Sequence, residues 1–260
     1  MQIINEAQAG ALVSIDAMVI KAPTLDNGNT IQNSEGCPQG SILSPILANI
    51  YLHHVVDEWF DEIKQSHFKS SAEMIRYADD IVFCFKEMED AKRFYEVLPK
   101  RLEKYGLKLH LEKSQILEAG HLAAERASQN GCRLGTFNFL VFTCYWGKTK
   151  KGFWRLKYSS RRDRFTTKLK GLREFLRGNL NTRDTNATLR TAVKVIRGWV
   201  NYHAVSDNRR RVKSFLEESK KIIYRWVNRR GSKKMSWQSC ALALKRIEFP
   251  VRFKTKSMFY

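Results

Sequence analysis

Apolar positions recur at intervals of two, or of three and four, along most of the chain, and each switch between these spacings marks an element. Residues 74–77 and 81–85 are short β-branched and aromatic runs on either side of a tight turn, which predicts a hairpin carrying Asp79 and Asp80 at its tip. Asp26-Asn27-Gly28-Asn29 predicts a second hairpin between residues 21–25 and 30–33. Ser44-Pro45 reads as a helix start, with Ser at the N-cap and Pro at the first helical position. Residues 46–60 continue that helix, with Ile46, Ile50, Val55 and Trp59 on one face. Met88, Ala91, Tyr95, Leu98, Leu102 and Tyr105 mark an amphipathic helix that Gly106 stops. Residues 107–111 alternate as a strand, and residues 119–136 read as a loop. Residues 137–143 are strand-like, and residues 145–155 form a basic aromatic hairpin. From Arg161 onward the spacing is helical: Phe165, Leu169, Leu172 and Leu176, then Leu189, Val193, Ile196 and Val200, then Phe215, Ile222 and Trp226. Trp199 and Trp226 are read as core, because large aromatics at helical spacing dominate cores.

Composition narrows what such a chain can be. It has 260 residues and is 43% hydrophobic, enough for a packed core and against global disorder. No apolar run approaches the roughly 18 residues that a membrane helix needs, and residues 1–6 do not have the basic-then-apolar pattern of a signal peptide. Five cysteines with no C-x-x-C spacing are expected as reduced thiols without structural zinc, in a cytoplasmic protein. Charge is divided unevenly. Residues 1–120 hold 12 Lys and Arg against 18 Asp and Glu, whereas residues 121–260 hold 34 against 8. A basic half interleaved with Trp, Tyr and Phe points to a polyanionic partner, with nucleic acid the leading choice.

Adjacent carboxylates at a hairpin tip put negative charge at the rim of a core. Asp favours turns for local reasons, but its oxygens are also the hard ligands that Mg²⁺ prefers, and Mg²⁺ is commonly shared between one or two carboxylates and substrate phosphates. The tip is therefore a candidate metal site for phosphate chemistry. The string Tyr77-Ala78-Asp79-Asp80 between two apolar arms resembles the YADD box of reverse transcriptases. Upstream, Pro38-Gln39-Gly40-Ser41-Ile42-Leu43-Ser44-Pro45 resembles the PQG block of group II intron-type reverse transcriptases. Gly106-Leu107-Lys108-Leu109 with Glu112-Lys113-Ser114 resembles the next block of that family. Phe139-Leu140-Val141-Phe142 resembles its primer grip, with Val141 where the family usually has Gly. Gly198-Trp199-Val200-Asn201-Tyr202-His203 resembles its thumb, or maturase, domain.

The resemblance implies an α+β fold: a partial right-hand polymerase palm of antiparallel sheet and helices, followed by an α-helical thumb bundle. It implies a partial palm over residues 1–155, a helical RNA-binding thumb over 156–230 and a basic C-terminal extension over 231–260. By the same resemblance Asp79 and Asp80 are the catalytic carboxylates and Mg²⁺ ligands. Pro38, Gln39, Gly40, Tyr77, Ala78 and Lys113 lie at the nucleotide and template pocket. Phe139, Leu140, Val141 and Phe142 hold the primer. Arg161, Arg162, Arg164, Lys168, Arg173, Arg209, Arg210 and Arg211 bind RNA. The implied partners are an intron or template RNA, primer DNA and dNTPs. The family has a further catalytic Asp on a strand well before the PQG loop. Asp16 and Asp26, upstream of Pro38, are both unsuited to that role, Asp26 because it sits in a turn and Asp16 because it leaves no room for the intervening helices. The expectation is therefore a chain that lacks the fingers and one catalytic Asp, and that polymerises poorly alone. The alternative is a catalytically inactive RNA-binding remnant.

Overall fold

The computed structural model describes residues 24–26, 29–31, 44–180, 184–229 and 234–257. The chain divides into two compact units, Met1–Ile116 and Leu117–Tyr260. In the first, β1 (Thr24–Asp26) and β2 (Asn29–Ile31) pair antiparallel, with Asp26 opposite Asn29, the pairing that the Asn-Gly signal in the sequence predicts. Predicted features at residues 1–23 and 32–43, including Pro38, Gln39 and Gly40, lie outside the described residues.

Helix α1 (Ser44–Leu52) runs through a π-helical turn, His53–Asp57, into α2 (Glu58–Ser66). A π-turn inserts one residue and rotates the following register by about 100°. This corrects the expected apolar face. Ile46 and Ile50 are exposed, and Val55, Val56 and Phe60 supply the buried positions. Strands β3 (Ala72–Tyr77) and β4 (Asp80–Phe85) pair antiparallel, and α3 (Met88–Lys104) follows, continuing through Pro99. The inward residues of α3 are Phe94, Leu98 and Leu102, whereas Met88 is exposed. Phe83 meets Phe94 at 4.6 Å and Phe60 at 5.2 Å between ring centroids, and these rings form the centre of this core. Residues 107–110 belong to no strand. Leu107 and Leu109 do turn toward the core, so the alternation encoded burial without a ladder partner among the described residues.

In the second unit, helix α4 (His121–Gln129) replaces the expected loop, burying Ala123 and Ala124. The expected strand over residues 137–143 is instead a hairpin. β5 (Phe137–Phe139) turns at Leu140-Val141 into β6 (Phe142–Lys148), which pairs with β7 (Trp154–Ser160) to complete a three-stranded antiparallel sheet. Four helices follow: α5 (Arg162–Asn179), α6 (Thr185–His203), α7 (Arg209–Val227) and α8 (Trp237–Arg246). Their common core holds Leu172, Leu176, Val193, Ile196, Trp199, Phe215 and Ile223, and Cys240, Leu244 and Phe249 close one side of it. Trp199 is buried and Trp226 half-buried. Asp184 caps α6 by accepting from the Asn186 and Ala187 amides. Asn208 clamps sheet to bundle. It accepts from the Ser160 amide at 2.9 Å and donates to the Ser160 hydroxyl at 2.6 Å and to the His203 carbonyl at 2.9 Å.

Candidate functional site

The β3–β4 hairpin places the acidic pair. Tyr77 pairs with Asp80, so the turn consists of Ala78 and Asp79, and Asp80 is the first residue of β4 rather than part of the turn. Ala78 takes φ +53°, the left-handed region that two-residue hairpin loops demand at their first position. Strand alternation sends Ala72, Met74 and Arg76 inward and leaves Ile75 and Tyr77 57% and 65% exposed. Asp79 and Asp80 are exposed, and neither carboxylate has a hydrogen-bond or ion-pair partner among the described residues.

Beneath the turn, Arg76 binds Asp57 in a bidentate pair, Nε to Oδ1 at 2.7 Å and Nη2 to Oδ2 at 2.5 Å. Its Nη1 donates to Asn49 Oδ1 at 2.9 Å and to the Ala78 carbonyl at 3.3 Å. A planar fork of donors suits this arrangement, which a lysine could not reproduce. Burial pushes the Asp57 carboxyl up, but hydrogen bonds from Arg76 and His53 outweigh it and hold the group below its ordinary value. The hairpin tip is thereby tied to α1 and to the π-turn. Sequence reasoning missed this brace, because Arg76 and Asp57 lie 19 residues apart in elements whose pairing no local pattern announces.

In the second unit, the Leu140-Val141 turn repeats the device, with Leu140 at φ +55°. Arg161, at the start of α5, holds this turn. Its amide donates to the Val141 carbonyl at 3.0 Å, and its guanidinium reaches the Leu140 carbonyl at 3.5 Å. Phe139 and Leu140 are half-buried and Phe142 is buried. A cleft of about 590 Å³ opens beside the turn, lined by Asn138, Thr143, Arg161, Arg162, Asp163 and Thr166, among others.

Lys113 is exposed on a turn. Of the expected RNA-binding residues, Arg162, Arg164, Lys168, Arg173, Arg209 and Arg210 are exposed. Arg161 and Arg211 are half-buried, and Arg211 lies over the Phe165 ring at 4.7 Å, so both contribute to packing within the unit. Among the described residues Cys84, Cys132, Cys144 and Cys240 are free, and burial pushes the Cys144 thiol up to about 11.

Residues 7–155, more than half of the chain, match the family model described as reverse transcriptase (RNA-dependent DNA polymerase). The chain belongs to the reverse transcriptase family. A comparison with curated proteins finds no match. The matched span of this reverse transcriptase includes the Asp79-Asp80 tip, the Arg76 brace and the Leu140-Val141 turn. As ligands, the two carboxylates suit part of a magnesium shell, being hard oxygens with no partner among the described residues. Among those residues no group of three or more acidic, His or Cys side chains could hold an ion. No described helix is long and apolar enough to cross a membrane.

Proposed function

We propose that this chain is the palm-and-thumb part of a group II intron-type reverse transcriptase, an RNA-directed DNA polymerase with maturase-like RNA binding. What supports the reading most is the Asp79-Asp80 tip, braced from below by Arg76, left unpaired above, and set in a chain of the reverse transcriptase family. In this reading residues 1–155 are palm, 156–230 thumb and 231–260 a basic extension. Asp79 and Asp80 contribute ligands to a two-magnesium centre, where the metal would activate the primer 3′-hydroxyl and offset charge on the departing pyrophosphate. The residues of this chain do the positioning. Pro38, Gln39, Gly40, Tyr77, Ala78 and Lys113 shape the nucleotide and template pocket. Phe139, Leu140, Val141 and Phe142, pinned by Arg161, hold the primer end. The exposed cations of α5 and α7 grip the RNA backbone.

A two-metal centre draws carboxylates from several elements, and the tip supplies only one set. We therefore propose that a further carboxylate, with the fingers, comes from another segment, and that this chain alone incorporates dNTPs poorly. Primer extension with purified protein, template RNA, DNA primer, dNTPs and Mg²⁺ tests this. Weak or absent extension is expected. Robust extension lost in Asp79→Asn would show that the centre is already complete within this chain, and robust extension retained in Asp79→Asn would remove the tip from the chemistry.

One feature favours a second reading, a non-catalytic RNA-binding protein: the basic surplus of residues 121–260, with 34 Lys and Arg against 8 acidic residues. RNA binding that weakens steeply with salt, without incorporation even when a fingers-bearing segment is supplied, would select it.

A further inference from the structure

We propose that the tip of the β6–β7 hairpin is a contact for single-stranded RNA, in which Phe153 stacks on an unpaired base and Lys148, Lys150 and Lys151 meet the neighbouring phosphates. This rests on the RNA-binding reading above and assigns a specific part of that binding to one hairpin. Phe153 is 70% exposed, the most exposed of the large apolar side chains in the described residues. Its presentation is built. The Thr149 amide donates to the Phe153 carbonyl at 2.8 Å, and the Gly152 amide donates to the Thr149 carbonyl at 3.0 Å. The Phe153 amide donates to the Thr149 hydroxyl at 3.1 Å. Gly152, at φ +87°, makes the reversal without the penalty a Cβ would bring. A well-bonded turn that holds a phenyl ring in water costs hydrophobic free energy, which a binding partner can recover.

Charge identifies the partner. From Arg126 to Arg162 the chain carries nine Lys and Arg and no Asp or Glu. Lys148 lies over the Trp154 ring at 5.2 Å, which fixes its ammonium beside the tip, and Lys150 and Lys151 are exposed within the turn. Lys157 donates to the Lys148 carbonyl at 2.5 Å. An exposed ring on a turn that also carries exposed lysines matches a nucleotide, with a π-face for the base and charge for its phosphates. A duplex offers only the phosphates, because its bases stack on one another. The family's dependence on an RNA template makes RNA the favoured strand over an anionic lipid surface.

Fluorescence anisotropy of the full chain tests this with two probes, an oligouridylate of about 12 nucleotides, within the usual site size, and a blunt RNA duplex. Phe153→Ala is expected to weaken the oligouridylate roughly 5- to 100-fold and to leave the duplex within about twofold, while Phe153→Trp restores the single strand. A Phe153→Ala protein that melts like the parent yet binds the single strand equally well overturns the proposal and leaves the RNA-binding reading standing. Equal losses on both probes also overturn it, since stacking would spare the duplex. Failure of the unmodified chain to bind either RNA sinks both readings. Binding to phosphatidylserine vesicles that Phe153→Ala abolishes, with RNA binding unchanged, would assign the tip to lipid instead.

Discussion

The guanidinium of Arg76 reaches three places at once: Asp57 in the π-turn, Asn49 on α1 and the Ala78 carbonyl in the hairpin turn. Both members of the ion pair are largely shielded, with side chains 13% and 19% exposed. Removing one partner leaves the other charge stranded, whereas removing both leaves none. Arg76→Met is expected to lower stability by about 1.5–3 kcal/mol, the usual loss for a hydrogen bond to a charged group. Adding Asp57→Asn should restore part of that loss. Urea denaturation of the two single variants and the double variant measures it. Strict additivity would mean that the pair is not coupled and that the brace is only apparent. Arg76→Lys should resemble Arg76→Met more than the parent, because an ammonium cannot make the fork. The Tyr77-Ala78-Asp79-Asp80 string was readable in the sequence, while the residues that hold it were not. Asp57 reads there as one more polar position on a helix, and only the tertiary contact makes it a partner.

Both hairpins that bear candidate site residues close on a non-glycine residue in left-handed backbone, Ala78 at +53° and Leu140 at +55°. Left-handed backbone costs an L-residue about 1–2 kcal/mol, whereas Gly loses about 0.5–1 kcal/mol of extra chain entropy on folding. The exposed Ala78 makes few contacts to lose, so Ala78→Gly should stabilise the first unit by about 0.5–1 kcal/mol. Ala78→Val should destabilise it, since a β-branched residue tolerates that backbone least. Opposite shifts in the urea midpoint check the pair, and a loss in both would show that the turn is not under strain. The same elements show what pattern reading could reach. The β3–β4 hairpin and helices α5 to α7 followed from their periods, because each buries one long apolar face. Helix α4 did not, because its buried face is only Ala123 and Ala124, set between turn-forming residues. Residues 107–110 show the converse, an alternation that the core satisfies without any strand to pair with. The π-turn after α1 was invisible, since one inserted residue rotates a face without changing the composition that a reader sees.

At the scale of the whole molecule, the two units have separate cores; carboxylates held low by arginines occur in both, and the second unit also buries a histidine. Asp57 and Asp90, in the first, are held below the ordinary carboxylate value, because hydrogen bonds from Arg76 and Arg93, respectively, outweigh burial. Groups depressed in this way contribute stability that persists until pH falls below about 4. The second unit buries His203, 5% exposed, between the Trp199 ring at 4.0 Å and Phe142 at 5.7 Å. Its Nδ1 donates to the Trp199 carbonyl at 2.9 Å, and its buried Nε2 has no partner among the described residues. Burial lowers its pKa from 6.5, the Trp199 carbonyl partly offsets this, and the charge of Lys168 adds to the lowering. The folded state therefore resists a proton that the unfolded chain takes up near pH 6.5, and stability falls as pH drops through that value. The slope for one such group is at most about 1.4 kcal/mol per pH unit. Five of the six tryptophans lie in the second unit, so tryptophan fluorescence reports chiefly on it. Between pH 7.5 and 5, thermal melts followed by that fluorescence should lose stability in the parent and much less in His203→Phe, which keeps an aromatic ring against Trp199 but cannot titrate. The first unit, with Trp59 as its single tryptophan, should hold its hydrogen-exchange protection over the same range. An unchanged pH slope in His203→Phe would mean that the acid sensitivity of the helical bundle has another source.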